Sequence, residues 1–167
     1  MTLDQFWRLI EESRMGASAE MPQVSVLERS LRALPTREMV AFEGNCWDLL
    51  SLSFKRESWA VATIIQPSCT QGSFDAARAW MILEGRDFFD AVSNNPEKLA
   101  DRAPRGRVPW VPDGEMLLRL VPRVYRNITG EDLPTLPRKV AYVLKGTRWT
   151  EFDLPELYPD LWRKYRS

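Results

Sequence analysis

Apolar residues recur every three or four positions along most of this chain, the spacing of helices that each bury one face. Leu3, Phe6, Trp7 and Ile10 form the first such stripe, with Glu11, Glu12 and Arg14 on its wet side. Thr2 and Gln5 stand three apart ahead of it, the capping-box pattern that opens a helix. After a break from Gly16 to Pro22, Leu27, Leu31 and Leu34 repeat the period. Ser25 and Glu28 are a second capping-box pair there, and Pro35 is the stop. Thr36 is the predicted cap of a helix that runs to about Phe54. Met39, Val40, Phe42, Cys46, Trp47, Leu49, Leu50 and Phe54 go most of the way round it, which places it at the centre of the domain.

Ser58 to Gln66 reads as a further helix with Trp59, Ala62 and Ile65 inward, although its apolar run also fits a strand. Pro67 to Gly72 is a predicted loop, and Ser73 caps a helix carrying Phe74, Ala77, Trp80 and Met81. Gly85 fits a left-handed stop, but the period resumes through Phe88, Phe89 and Val92. Asn95-Pro96 opens one short helix through Leu99. Asp113 starts another, which Pro122 kinks or splits and Gly130 ends. Glu131 to Arg138 is loop, and Val140 to Leu144 is a short strand or a single helical turn. Pro155 and Pro159 start two short helices in the tail. There is no repeat and no separating linker. The expectation is therefore a mainly α, single compact multi-helix domain over residues 1–167, with a loop-rich, proline-rich C-terminal third.

Composition narrows the function classes. The 167 residues carry 23 Lys+Arg against 23 Asp+Glu, with 28% charged and 44% hydrophobic residues. That balance excludes a disordered chain and a wholesale polyanion binder. No histidine is present, so no Ser-His-Asp triad or Cys-His pair exists. Cys46 and Cys69 are the only cysteines, too few for most zinc sites, and neither metal nor cofactor is expected. Cys46 reads as a small buried hydrophobe; Cys69 sits in the turn-rich stretch. The seven tryptophans suit a stiff core better than a binding box. The N-terminus has no secretory pattern and no apolar run is long enough for a membrane, so the expected location is cytoplasmic.

Charge is uneven. Residues 1–101 hold 10 basic and 15 acidic side chains, whereas residues 102–148 hold 10 basic and 4 acidic. Arg102, Arg105 and Arg107 would be the contacts if this block met nucleic acid, with Trp110 stacking on a base. The simpler reading packs the block against the acidic half, and zero net charge favours that one.

Four segments carry a family likeness. They are Phe6-Trp7-Arg8-Leu9-Ile10-Glu11; Ser68-Cys69-Thr70 through Phe74, Arg78, Trp80, Ile82, Gly85 and Arg86; Asn95-Pro96-Glu97-Lys98-Leu99-Ala100; and Glu151-Phe152-Asp153 through Tyr158-Pro159-Asp160-Leu161-Trp162 to Tyr165. In this order and spacing the chain resembles the bacterial family called domain of unknown function 4240. The resemblance implies a compact helical domain and no particular activity. Members often follow the cysteine with a Cys-Ser-Asp-Asp-Gly pattern; here the places read Thr70-Gln71-Gly72-Ser73, so those carboxylates are missing.

The stretch from Cys69 to Arg86 is the candidate site. On a helix from Ser73, Asp75 and Arg78 face the same way. Arg86 joins Arg78 on that face if the helix is continuous, and Phe74 and Trp80 flank them. An arginine between aromatic walls can hold a carboxylate or phosphate through two hydrogen bonds. Two functions fit. One is a non-catalytic interaction module with a protein partner, in which Arg78→Ala weakens a complex without unfolding the domain. The other is a small-molecule-binding protein or enzyme with a Trp-lined pocket, Asp75 or Glu84 as proton acceptor and Arg78 as clamp. A bland alternative makes Asp75 and Arg78 a surface ion pair over a core of Phe74 and Trp80.

Overall fold

The computed structural model describes residues 1–167. Its regular elements are all helical: α1 (Leu3–Met15), α2 (Gln23–Arg32), α3 (Thr36–Leu52), α4 (Arg56–Ile65), α5 (Gln71–Leu83), α6 (Arg86–Asn94), α7 (Asp113–Thr129), α8 (Leu154–Leu157) and α9 (Pro159–Arg166). Two 3₁₀ segments, Pro96–Arg102 and Glu151–Asp153, join them. No helix is long and apolar enough to cross a membrane.

Local chemistry accounts for most boundaries. The Thr2 hydroxyl accepts the Gln5 N–H at 3.2 Å while the Gln5 side chain accepts the Thr2 N–H at 2.8 Å, closing the expected capping box. Asn95 caps the 3₁₀ turn through the Glu97 N–H, and left-handed Gly130 ends α7. Three caps differ from expectation. α2 starts at Gln23 after Pro22, so Ser25 lies inside it, and Pro35 rather than Thr36 precedes α3. In both cases the proline presets an extended entry, and the first turn follows directly. α5 starts at Gln71, capped by Thr70, whose hydroxyl accepts the Ser73 N–H. Pro122 stays inside one uninterrupted α7, held by buried Leu117, Leu120, Val121 and Val124. Residues 140–144 form neither strand nor helix. They lead to an isolated parallel bridge between Lys55 and Lys145.

Buried apolar side chains from all nine α-helices make one continuous cluster. α5 is its axis: Phe74, Ala76, Ala77, Arg78, Ala79, Trp80, Met81, Ile82 and Leu83 are all buried. The expected central helix, α3, instead flanks α5 and α7, with Val40, Ala41, Gly44, Trp47 and Asp48 only half-buried. Small residues let α7 lie directly on α5. At Gly114 an added Cβ would stand 2.0 Å from the Ala76 carbonyl oxygen, so only glycine fits the crossing. From Gly130 onward the chain becomes a strap across the helices. Trp149 donates its indole N–H to the Arg56 carbonyl at 2.6 Å, and Lys164 donates to that of Ala100 at 3.2 Å.

Candidate functional site

The side chains singled out in the sequence fall in three places. Phe74, Asp75 and Arg78 meet at the first, with Cys69 beside them. Arg78 is wholly buried, so the pair is not a surface one. Its guanidinium donates to the Leu50 carbonyl, to Asp75 Oδ1 and, at 2.7 Å, to the Tyr142 hydroxyl. The Tyr142 hydroxyl in turn donates a hydrogen bond to Asp75 Oδ1 at 3.0 Å. The rings of Phe54 and Phe74 lie 4.5 and 4.8 Å from the guanidinium carbon. Only Nε is left without a partner. Leu50 lies in the last turn of α3, where carbonyls lack helical partners and the helix end is partially negative. Arg78 therefore satisfies a helix C-terminus from inside the core and presents no free edge to a ligand. Burial, followed by the Asp75 charge, pushes the Cys69 thiol up to about 12, which keeps it protonated.

Trp80 is at the second place, against Phe88 and Trp110. Trp110 is fully buried and donates its N–H to Gln66 at 2.9 Å, so the alternative of stacking on a base has no exposed ring to use. Glu84 and Arg86 belong to a third, exposed place. Gly85, at φ 95°, separates α5 from α6, so Arg86 does not continue the face of Arg78. Arg86 pairs instead with Asp4 at 2.9 Å, and Glu84 with Arg102 at 2.5 Å. Arg123 likewise reaches Glu28 at 2.7 Å. The basic block thus places two arginines on acids of the N-terminal half, while Arg105 meets the Ser167 carbonyl.

A different site emerges where the strap crosses α3. Glu43, Gly44, Trp47 and Asp48 form one wall of a cleft of about 220 Å³, and Leu133 to Arg138 form the other. Helical spacing puts Glu43 and Trp47 one turn apart, and the Trp47 indole N–H donates to Glu43 Oε1 at 2.9 Å. Glu43 is 6% exposed. Behind it stand Cys46, Leu50, Ala79, Ile82, Leu117 and Leu118, so its back is apolar and only its front opens on the cleft. Burial raises its carboxyl to about 7, against the Trp47 hydrogen bond, which lowers it. Across the cleft, the Arg138 guanidinium lies over Trp47 at 4.8 Å and over Tyr142 at 5.2 Å. Asp48 accepts the Lys139 N–H at 3.2 Å and so pins the strap beside it.

Glu43 was absent from the sequence reading. Its signal was there: one carboxylate on an otherwise apolar flank of α3, beside a glycine. The other half of the cleft left no such trace, because residues 133–138 read only as a proline-bearing loop.

The family model described as "Protein of unknown function (DUF4240)" matches residues 1–127. No curated protein matches the chain, and no solved structure does. The match covers α1 to most of α7 and with them Glu43, Trp47 and Arg78; the strap bearing Arg138 and Tyr142 lies beyond it.

Proposed function

Because the chain belongs to the DUF4240 family, whose function is unknown, we propose from its own geometry that it is a non-catalytic binding module that takes a small charged molecule in the α3–strap cleft. Glu43 carries this reading: a nearly buried carboxyl that opens on a concave site and answers to no cation of the protein. Charged side chains are rarely buried without a partner, and a ligand supplies one. Binding is favoured over catalysis because no activated nucleophile stands beside it. The nearest thiol, Cys46, is buried, and burial raises its pKa further than the Glu43 charge does. We place the protein in the cytoplasm, where two free, buried cysteines stay reduced. A protein partner is a second reading, favoured by Phe152, which is 93% exposed, and by exposed Leu157 in the same C-terminal segment.

Backbone amide NMR with a library of small charged molecules tests the cleft. Ligand-induced shifts should concentrate at residues 43–48 and 133–138 and vanish in Gly44→Leu, whose side chain would fill the space now bordered by Leu136. Shifts that map elsewhere, or that persist in the filled variant, would exclude this site.

A further inference from the structure

We propose that the ligand of this cleft is a zwitterion, a small molecule with an amine at one end and a carboxylate at the other. The amine meets Glu43 and the carboxylate meets Arg138. This deepens the binding reading above and rests on it.

Two unpaired opposite charges line one small cavity. Glu43 and Arg138 take part in none of the protein's ion pairs, and they do not reach each other. The Trp47 indole keeps them apart: its N–H edge is bound to Glu43, and its face carries the guanidinium. Arg138 is also unusual in how it is held. Its guanidinium lies against two aromatic rings, yet none of its N–H groups donates to the protein. A guanidinium whose N–H groups are all free can make two parallel hydrogen bonds to a carboxylate. The two rings restrict its motion and so lower part of the ordering cost of binding.

Glu43 has the complementary arrangement. One oxygen is bound to Trp47; the other has no partner in the protein. α5 and α7 present only Ala79, Ile82, Leu117 and Leu118 behind it, so no cation can approach from the core. The remaining ionisable groups near it are the neutral Cys46 thiol and Asp48, whose carboxylate adds negative charge on the same wall. A ligand ammonium is favoured on this side and a ligand carboxylate on the other. A carboxylate alone would leave the nearly buried Glu43 without a cation, and an amine alone would forgo the free N–H groups of the exposed Arg138, so only a zwitterion gains from both. The cavity, at about 220 Å³, is below the roughly 300–1,000 Å³ of drug-sized sites, which suits a molecule the size of a free amino acid. Because α3 supplies one charge and the strap the other, such a ligand would bridge the two.

Calorimetry on the full chain tests this with glycine, β-alanine and γ-aminobutyrate, which differ only in the separation of their charges. n-Butylamine and butyrate serve as single-charge controls. One of the three should bind at least about tenfold tighter than either control, a factor worth ~1.4 kcal/mol. Arg138→Gln should reduce it to the level of n-butylamine, and Glu43→Gln to that of butyrate. Arg138 is exposed, so its variant tests binding without threatening the core. At about pH 7 the binding heat should depend on the buffer's ionisation enthalpy, because an ammonium beside Glu43 drives out its proton. Equal affinity for n-butylamine, or no loss in Arg138→Gln, overturns the zwitterion while leaving the cleft as a cation site. Silence from all five compounds overturns it too, and the NMR screen then decides separately whether the cleft binds anything.

Discussion

Burial acts on Glu43 in a way that stability measurements can read. Its carboxyl is raised from an ordinary 4.5 to about 7, chiefly because the charged form loses water. Between those two values the native state keeps a proton that the unfolded chain has released. Stability must therefore fall as pH rises through that window and stay lower above it. The gap corresponds to roughly 3 kcal/mol at most. Glu43→Gln keeps the shape and an acceptor for the Trp47 N–H but never charges. It should match the parent at about pH 4 and exceed it by up to ~3 kcal/mol at about pH 8, as read by chemical denaturation. A gap of the same size at both pH values would mean that burial of the charge is not the cause.

The helices show which local signals are enough to set an element. The capping box of Thr2 and Gln5, the Asn95-Pro96 turn and the Gly130 stop are all present, because each is closed by groups within a few residues. Ser25 and Thr36 do not cap, because the direction in which the chain enters a helix is set by the preceding Pro22 and Pro35. The crossing of α5 and α7 is the tightest element contact, and it depends on Gly114 facing Ala76. Gly114→Ala should cost about 2–3 kcal/mol, above the ordinary effect of adding a methyl to a helix, because backbone rather than a flexible side chain must yield. A thermal melt checks this; a rise in Tm, as an exposed helical Gly→Ala change gives, would contradict the close approach.

At the scale of the molecule, Arg78 ties three parts together: the C-terminal end of α3 through Leu50, its own helix through Asp75, and the strap through Tyr142. The earlier expectation that Arg78→Ala would weaken a complex without unfolding the domain does not survive this placement. The change would leave Asp75 without its cation and empty a space between Phe54 and Phe74. Asp75 itself is half-buried and keeps the Tyr142 hydrogen bond, so the loss comes mainly from the emptied space and the unpaired Leu50 carbonyl, about 2–4 kcal/mol, read by chemical denaturation. Hydrogen exchange on the variant should also show faster exchange along residues 139–145 than the parent, since the strap loses its inward anchor. Unchanged stability would mean that the network adds nothing to the fold.

Sequence periodicity and punctuation were sufficient for a helical protein, for most helix boundaries and for the meeting of Arg78 with Asp75 and with Phe74, because residues three and four apart on one helix are neighbours. They also marked the uneven charge. What Arg78 does was decided by tertiary structure: whether a guanidinium faces water or a helix end depends on α3 and the strap, far from it in sequence. The same holds for Arg86, which Gly85 turns away, and for Trp110, which Gln66 holds inside. The cleft is the clearest case. Its acid lies on α3 and its arginine some ninety positions on, in a proline-bearing loop without periodicity. No local pattern records that such residues will face each other; only the path of the strap across the helices brings them to one site.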